Sequence, residues 1–340
     1  MNRNIKDGFN ILSKVTPVRV WNAFKVLSSY YIARLIRKPI HWGMPISISI
    51  EPTTSCNLRC PQCPSGLREF TRPTGMLQND TLTKVIDELH ATLTYITFYF
   101  QGEPYLNKNF LDYVRYAADK NIYTATSTNA HYLDEKTARK TVESGLDRLI
   151  ISVDGIDQES YSKYRIGGNL EKVISGTKNL VHWKRAMQSS TPHIIWQFIV
   201  FRHNEHQIEE VKRLGKELGV DEVAIKTAQI YDYENGNELI PLNEKYSRYS
   251  AAGLTYRIKN KLLNHCWRMW QGCVITWDGK VVPCCFDKDA SYGLGMLAST
   301  SFRDIWKGHS YKNFRCLIQK SRKEVDICAN CTEGTRVWEI

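Results

Sequence analysis

Three cysteines in the first fifth of the chain have the spacing of a metal-cluster site. The segment from Glu51 to Cys63 reads Glu-Pro-Thr-Thr-Ser-Cys-Asn-Leu-Arg-Cys-Pro-Gln-Cys, so Cys56, Cys60 and Cys63 follow a Cys-x3-Cys-x2-Cys pattern with no fourth cysteine nearby. Iron–sulfur clusters are normally held by four thiolates, so three would leave one iron open. An open metal position is where a reactant binds. The alternatives are a zinc knuckle completed by a distant His, or thiols that bind no common metal.

The other seven cysteines lie in the last quarter of the chain: Cys266, Cys273, Cys284, Cys285, Cys316, Cys328 and Cys331. The last two are separated by two residues, a common way to present two thiolates to one metal. The Asp278-Gly279 pair predicts a hairpin turn whose second strand delivers Cys284. Neighbouring side chains of an extended strand point to opposite faces, so Cys284 and Cys285 are not expected to serve one cluster together.

The composition is that of a folded protein in a reducing compartment. The chain has 340 residues, 42% of them hydrophobic and 24% charged, and its formal net charge is +11. This suits one large or two ordinary domains with a basic surface. No apolar leader follows Met1, and the most apolar run, Ile194–Phe201, is too short for a bilayer span. We therefore expect a cytoplasmic protein whose clustered cysteines bind metal rather than form disulfides.

The elements that would position these cysteines alternate between strands and helices. Runs of β-branched and aromatic residues predict strands at Ile46–Ile50, Tyr95–Phe100, Tyr123–Thr126, Arg148–Val153, Ile194–Phe201 and Glu222–Lys226. Helical periodicity predicts helices at Leu82–Leu93, Phe110–Asp119, Glu135–Ser144, Leu170–Met187 and Gln207–Leu218. Repeated strand–helix units imply an α/β fold with a parallel sheet, either open and doubly wound or a partial or whole barrel. The pattern fades beyond residue 228, so we place domains at 1–42, 43–235 and 236–340.

The first 42 residues are basic and rich in aromatic side chains. Helical spacing links five apolar residues into one stripe: Val20, Phe24, Leu27, Tyr31 and Leu35. The simplest expectation is an N-terminal helix that docks on the body of the protein through this stripe. The alternative is a surface for an anionic partner or for peripheral membrane contact, because basic residues punctuate the segment: Arg19, Lys25, Arg34, Arg37 and Lys38.

The three-cysteine loop resembles the signature of the radical S-adenosylmethionine (SAM) superfamily, and segments at the ends of later predicted strands agree. Gln101-Gly102-Glu103-Pro104 resembles the family's Gly-Glu-Pro element, whose Glu receives the methionine amino group. The segments around Asn129 and Ser152 resemble those near the SAM ribose and carboxylate. This resemblance covers residues 45 to 228 and implies a partial (β/α)6 barrel of TIM type, with its active site at the carboxyl ends of the strands.

The resemblance also implies a chemistry. Cys56, Cys60 and Cys63 would hold a [4Fe-4S] cluster whose open iron binds SAM, and an electron from a reductant such as flavodoxin or ferredoxin would cleave SAM to methionine and a 5′-deoxyadenosyl radical. Such chemistry belongs to the cofactors, and the protein positions the substrate. The residues that the resemblance assigns to SAM are Gly102, Glu103, Pro104, Ser127, Asn129 and Ser152.

The C-terminal region resembles the SPASM/twitch extension of these enzymes, built from a β-hairpin and a helix. Its opening element matches Cys266, Gly279 and Cys284, and Cys328 with Cys331 closes it. The full SPASM form has a Cys-x2-Cys-x5-Cys-x3-Cys run for a second cluster, which this chain lacks. The resemblance thus implies one auxiliary [4Fe-4S] cluster on these four cysteines, with a structural zinc as the competing interpretation. The remaining three are expected to act as small hydrophobic residues: Cys273, Cys285 and Cys316.

Three positions depart from the family's pattern. Gln62 stands where an aromatic residue is common, and Ala130 replaces the usual Gly. Sulfatase-maturing members carry an Asp, proposed as a general base, directly after the hairpin cysteine. Here that position is Cys285, and the nearest carboxylate is Asp287, which becomes the candidate catalytic residue.

Two enzymatic functions suit these features. The first is dehydrogenation of a small polar substrate, anionic or sugar-like in view of the basic charge, with the auxiliary cluster as electron acceptor, as in the twitch-bearing dehydrogenases that the chain resembles. Lys226, Arg165 and Asp287 are candidate anchors or bases. The second is maturation of a peptide or protein, although the first 42 residues lack the β-hairpin of a leader-reading domain. Intact cluster motifs argue against a non-catalytic scaffold, and no nucleic-acid-binding module is recognised.

Overall fold

The structure is a computed structural model that describes residues 3–337. It begins with two helices, α1 (Arg3–Ser13) and α2 (Pro17–Ile36). The Thr16 hydroxyl accepts a hydrogen bond from the Arg19 backbone N–H at 3.3 Å and caps α2, whose first residue is proline. The first predicted domain begins at residue 1 and the last ends at residue 340. Residues 1–2 and 338–340 lie outside the described residues.

The predicted docking stripe of the N-terminal segment is wrong. Val20, Phe24 and Leu35 are 54%, 56% and 83% exposed. The helix docks instead through its opposite face, where Val26 and Tyr30 are fully buried. Docking on this face is fixed by polar contacts that periodicity does not reveal, since a guanidinium or amide can be buried only where carbonyl partners await it.

Helix α1 covers the amino ends of two central strands. The Asp7 carboxylate accepts a hydrogen bond from the Tyr123 hydroxyl at 2.5 Å and forms an ion pair with Arg148. The Asn10 amide donates to Asp147 at 2.8 Å. At the start of α2 the buried Arg19 guanidinium donates to four backbone carbonyls, among them those of Asn121 and His90. The N-terminal segment therefore closes the end of the sheet that lies away from the cysteine loop.

Six parallel strands follow and form the partial barrel: β1 (Ser47–Ile50), β2 (Tyr95–Thr97), β3 (Tyr123–Thr128), β4 (Arg148–Ser152), β5 (His193–Val200) and β6 (Glu222–Thr227). The helices of this region are α3 (Pro64–Leu67), α4 (Asn79–Leu89), α5 (Phe110–Asp119), α6 (Glu135–Glu143), α7 (Gln158–Tyr164), α8 (Leu170–Ala186) and α9 (Ile208–Leu218). One side of the strands packs against them, with Ile48, Ile96 and Leu149 almost fully buried. The predicted α/β partial barrel is confirmed, and every predicted strand and helix lies close to its observed bounds.

The C-terminal hairpin extends the barrel's own sheet, which sequence reasoning did not predict. Strand β9 (Gly272–Ile275) pairs in parallel with β1, and β10 (Lys280–Val282) and β11 (Gly295–Met296) continue antiparallel beyond it. The junction is tied by Glu51, whose carboxylate accepts hydrogen bonds from Arg72 at 2.5 and 2.8 Å and from the Trp277 backbone at 3.2 Å. This pairing brings the hairpin beside the loop that follows β1.

The remaining elements are short, and the sequence pattern did not predict most of them. A small antiparallel pair, β7 (Tyr249–Ala252) and β8 (Thr255–Ile258), precedes the hairpin. The helices are α10 (Arg268–Gln271), α11 (Phe302–Lys307), α12 (His309–Ser321) and α13 (Asp326–Ala329). Strand β9 and helices α10 and α12 supply a second part of the core around Trp270 and Trp306.

Candidate active site

The three cysteines of the first motif lie together on the loop that follows β1. Cys63 precedes α3, and its backbone N–H donates to the Cys60 carbonyl at 3.2 Å. The Cys56 sulfur accepts a hydrogen bond from the Leu58 backbone at 3.4 Å. Gly66 packs so closely on this loop that an added Cβ would lie 2.5 Å from the Cys60 nitrogen. The loop is thus folded into a fixed shape by its own backbone.

A half-buried guanidinium group faces this loop. Arg165, which follows α7, lies 3.7 Å from the Cys60 sulfur and pairs with the Asp154 carboxylate at 2.5 and 2.6 Å. Burial raises the pKa of Cys56 to about 12 and also raises that of Cys60, while Arg165 opposes the rise at Cys60. A cysteine binds metal as a thiolate. Because burial raises the pKa values of Cys56 and Cys60, these residues need a positively charged centre to stabilise their thiolates. The three thiols therefore suit a cluster.

The Gly-Glu-Pro segment is joined to the cysteine loop by its backbone. Gly102 has a φ of +75° and donates its N–H to the Ser65 hydroxyl at 2.8 Å. A Cβ on this residue would lie 2.2 Å from the Thr53 carbonyl oxygen, so only glycine fits. The Glu103 N–H donates to the Ser55 carbonyl at 2.8 Å, and Pro104 begins a short 3-10 turn. These contacts hold the Glu103 carboxylate near the three cysteines.

Glu103 is 2% exposed and reaches across to β3. Its carboxylate accepts hydrogen bonds from the Thr128 hydroxyl and the Asn129 backbone, both at 2.8 Å. Burial raises its pKa from 4.5 to about 7. A buried carboxylate with this pKa gains from a positively charged partner such as an ammonium group, so its environment fits the role assigned to it in SAM binding.

The other residues assigned to SAM lie at the carboxyl ends of β3 and β4. The Asn129 amide donates to the Asn57 side chain at 2.7 Å and lies 4.0 Å from the Cys56 sulfur. Ser127 is half-buried in β3, and Ser152 is buried at the end of β4. Ala130, at the usual glycine position, takes a left-handed φ of 62°. The structure places this set beside the cysteine loop; its contacts with SAM stay a prediction.

Gln62 has a structural partner. Its side-chain oxygen accepts the Tyr231 backbone N–H at 2.9 Å, which ties the cysteine loop to the segment after β6. The Tyr231 ring lies 4.8 Å from the Lys288 ammonium. An aromatic ring therefore stands near Cys63 although Gln62 itself is not aromatic.

The four cysteines assigned to the auxiliary centre also come together. Burial raises the pKa of Cys328 to about 11 and of Cys331 to about 12, and Cys266 adds to both shifts. Burial also raises the pKa of Cys284, to which Cys285, Cys266 and Cys331 contribute. These mutual effects require proximity. Within residues 3–337, no three His, Cys, Asp or Glu side chains are spaced to hold a single metal ion.

Arg322 is a functional candidate that the sequence did not reveal. It is fully buried, donates to the His265 and Glu333 carbonyls at 3.0 and 2.6 Å, and lies 3.4 Å from the Cys331 sulfur. It opposes the burial that raises the pKa of Cys328 and Cys331. Each cysteine set thus has one guanidinium group that favours thiolates.

The unassigned cysteines occupy different surroundings. Cys273 is buried in β9, where it pairs with Ile48 of β1, as expected for a small hydrophobic residue. Cys316 is half-buried on α12. Cys285 is exposed, so the expectation that it is a small buried hydrophobic residue is wrong. Its neighbour Cys284 is the one whose pKa Cys266 and Cys331 affect.

Asp287 has contacts of a structural kind. It is 1% exposed, and its oxygens accept the Ser291 and Tyr292 backbone N–H groups at 2.8 and 2.9 Å. Burial raises its pKa, and these two hydrogen bonds oppose the shift. A catalytic role for Asp287 stays a prediction. Its hydrogen bonds to the backbone give the carboxylate a structural role in this loop.

Charged side chains lie between the two cysteine sets. Tyr99 is 39% exposed and Cys285 is exposed, yet burial raises the pKa of Tyr99 to about 12 and also raises that of Cys285. Both side chains are therefore accessible but poorly hydrated. The ion pair of Arg268 with Glu333 acts on both residues. Lys288 interacts with both Cys63 and Cys285, so it lies between the two sets.

Sequence reasoning did not identify these charged residues, although their spacing from the cysteines could have indicated them. Each lies two or three positions after a cysteine of the C-terminal region: Arg268 after Cys266, Lys288 after Cys285, and Glu333 after Cys331. Two hollows elsewhere on the surface, between α8 and α9 and beside Tyr292 and Phe314, contain none of these residues.

The fold and both cysteine sets match known proteins. The profile of the radical SAM superfamily matches residues 50–214, and that of the SPASM domain, an iron–sulfur cluster-binding domain, matches residues 266–332. The chain therefore belongs to the radical SAM superfamily and carries a SPASM domain. It is accordingly a SAM-dependent iron–sulfur protein, with a [4Fe-4S] cluster in the first domain and auxiliary iron–sulfur binding in the second.

Three proteins that are similar to this chain are named with different kinds of molecule. The tungsten-containing aldehyde ferredoxin oxidoreductase cofactor-modifying protein of Pyrococcus furiosus is 26% identical over 301 residues, covering 79% of this chain and 83% of that protein. BtrN in complex with AdoMet and 2-DOIA is 18% identical with a TM-score of 0.53, covering 86% and 95%. The anSMEcpe protein with AdoMet and the Cp18Cys peptide is 18% identical with a TM-score of 0.60, covering 86% and 89%. The two structures show a shared fold. No helix among residues 3–337 is long and apolar enough to cross a bilayer.

Proposed function

We propose that this radical SAM protein oxidises a small polar, anionic substrate that binds between its two cysteine sets. The observation that carries the proposal is the position of Lys288, whose ammonium group interacts with Cys63 of the first set and Cys285 beside the second. Arg268 lies in the same region, at the start of α10, but its charge is paired with Glu333. Lys288 is thus the cation that favours a carboxylate, phosphate or sulfate on the substrate.

SAM and the two clusters, when bound, would supply the radical chemistry that removes one hydrogen atom and one electron from the substrate. Oxidation of an alcohol carbon also releases the hydroxyl proton. The candidate proton acceptors are Glu333, which is paired with Arg268, and Asp287, whose oxygens are engaged by backbone N–H groups. Lys288 would hold the substrate so that its reacting carbon faces the first site.

The Pyrococcus furiosus relative supports a small-molecule substrate, because its name describes a protein that modifies a cofactor. A substrate bound at Lys288 would lie between the two cysteine sets, which suits a reaction that uses one to start the oxidation and the other to complete it. A reductant such as flavodoxin or ferredoxin would deliver the first electron.

The test is substrate-dependent release of 5′-deoxyadenosine by the anaerobically reconstituted protein. Phosphorylated and carboxylated sugars and cyclitols are compared with their neutral counterparts and with short peptides. Lys288→Met should lower kcat/KM for the anionic substrate about 10- to 100-fold, the loss expected when a charge-assisted contact is removed, and leave substrate-independent SAM cleavage unchanged. Lys216→Met, on the exposed surface of α9, is the matched control. Release by peptides alone, or equal use of neutral and anionic compounds, would reject the proposal.

A further inference from the structure

The N-terminal helices carry an apolar surface that no part of the described chain covers. We call it the N-terminal apolar surface, and its main members are Leu12, Val20, Trp21, Phe24, Tyr31 and Leu35. Leu35 is 83% exposed, and even the least exposed of the six, Tyr31, is 49% exposed. The Trp21 and Phe24 rings stack at 5.3 Å, so the surface is continuous along α2.

Helix α2 is apolar on both sides. Its inner face packs Val26 and Tyr30 on the body of the protein, and the Asn22 side chain exchanges hydrogen bonds with the Met44 backbone at 2.8 and 2.9 Å. Its outer face holds Val20, Phe24 and the other exposed members. A helix that is hydrophobic all round is normally covered on all sides, and a large exposed apolar patch marks an interaction site. The outer face therefore needs an occupant.

The charge around this surface has one sign. Residues 1–42 contain eight Lys and Arg but a single acidic residue, Asp7. Asp7 is buried and paired with Arg148, so it does not offset the surface charge. Arg34, Arg37 and Lys38 are exposed beside Leu35. The occupant that complements an apolar face flanked by exposed basic residues is an anionic lipid interface, because its acyl region takes apolar side chains and its headgroups attract cations.

We propose that the N-terminal apolar surface docks on the surface of a bilayer containing anionic phospholipid. Helix α2, 20 residues long, would lie in the interface plane with Trp21, Phe24 and Leu35 inserted and the basic residues at headgroup level. Tryptophan and tyrosine are the aromatic residues that favour this depth. Because α1 contacts the amino ends of β3 and β4, the part of the surface near α1 lies away from the carboxyl ends that carry the cysteine loop. The Tyr30 end of α2 packs against His265, next to Cys266 of the second set.

The experiment is co-sedimentation of the reconstituted full chain with vesicles of phosphatidylcholine alone or with added phosphatidylglycerol. The protein should bind the anionic vesicles and bind less at high salt. The double variant W21S/F24S should lower the partition coefficient by about tenfold or more through lost apolar burial. R37Q/K38Q should lower it by a similar factor on anionic vesicles only. The matched control, L242S/L254S, removes two exposed leucines outside this surface and should bind as the parent does.

All variants should keep the parent's melting temperature and SAM cleavage, because each replaced side chain is exposed and distant from the cysteine loop. Equal binding to both vesicle types, or no binding to either, would overturn the proposal. A dimer in solution that W21S/F24S converts to a monomer, without vesicle binding by the parent, would show instead that a second copy covers this surface.

Discussion

The guanidinium group of Arg165 lies 3.7 Å from the Cys60 sulfur while it forms an ion pair with the buried Asp154. Asp154 is fully buried and also accepts the Ile199 backbone N–H at 2.7 Å. One cation is thus shared between a carboxylate that holds the barrel's end and a thiol that belongs to the first cysteine set. These two roles can be separated by mutation.

Arg165→Gln should lower the free energy of unfolding of the apoprotein by about 3 kcal/mol, because it leaves the buried Asp154 unpaired. The double variant D154N/R165Q removes both charges and should recover most of that stability in urea unfolding. Both variants should retain less iron in the first site than the parent, since each lacks the charge that favours the Cys60 thiolate. Full iron content and SAM cleavage in the double variant would mean that Arg165 serves only the fold.

Anaerobic reconstitution should give about eight irons per chain, from two clusters of four. Replacing any of Cys266, Cys284, Cys328 or Cys331 with Ala should reduce the count to about four. Cys273→Ala is the matched control: its thiol lies in the core against β1, so it should lose about 1 kcal/mol of stability but no iron. A parent count near twelve would indicate a second auxiliary cluster, and loss of iron from the Cys273 or Cys316 variant would contradict this ligand set.

The stability of the apoprotein should depend on pH through Glu103. Its pKa is about 7 in the folded protein and 4.5 ordinarily, so between these values the folded state holds a proton that the unfolded state has lost. Stability therefore falls as pH rises through this window, by about 3 kcal/mol in all. Glu103→Gln should remove this slope. Urea unfolding of both proteins between about pH 5 and about pH 8 measures the difference; parallel pH profiles would contradict the shifted pKa.

Gly102→Ala should be far more harmful than the same change at another left-handed glycine. At Gly102 the new methyl group would overlap the Thr53 carbonyl oxygen, whereas at Gly253, with a φ of +67°, it would meet open space. We expect a loss of about 3 kcal/mol or more for Gly102→Ala and about 1 kcal/mol for Gly253→Ala in urea unfolding of the apoprotein. Gly102→Ala should also reduce SAM cleavage, because Glu103 follows it directly. Equal losses at the two sites would show that contact with the cysteine loop is unimportant.

The barrel was predictable because its signals are local. Strands β1–β6 appear as short runs of β-branched and aromatic residues, and α5 begins and ends at the predicted residues Phe110 and Asp119. The pairing of β9 with β1 was not predictable. Nothing in Gly272–Ile275 specifies a partner more than 200 residues away, and only the fold brings that strand to the free edge of β1.

The sequence by itself determined the kind of chemistry, because cysteine spacing and the Gly-Glu-Pro segment are short-range features that survive without tertiary contacts. The tertiary structure decided which charged residues interact with those cysteines. Arg165 is 105 positions from Cys60 in the sequence, and Lys288, in the C-terminal region, interacts with Cys63. It also decided which face of α2 is buried, because Asn22 and Arg19 find their backbone partners only on the folded body. Periodicity identifies an apolar stripe, but burial is a property of the neighbours that a stripe meets.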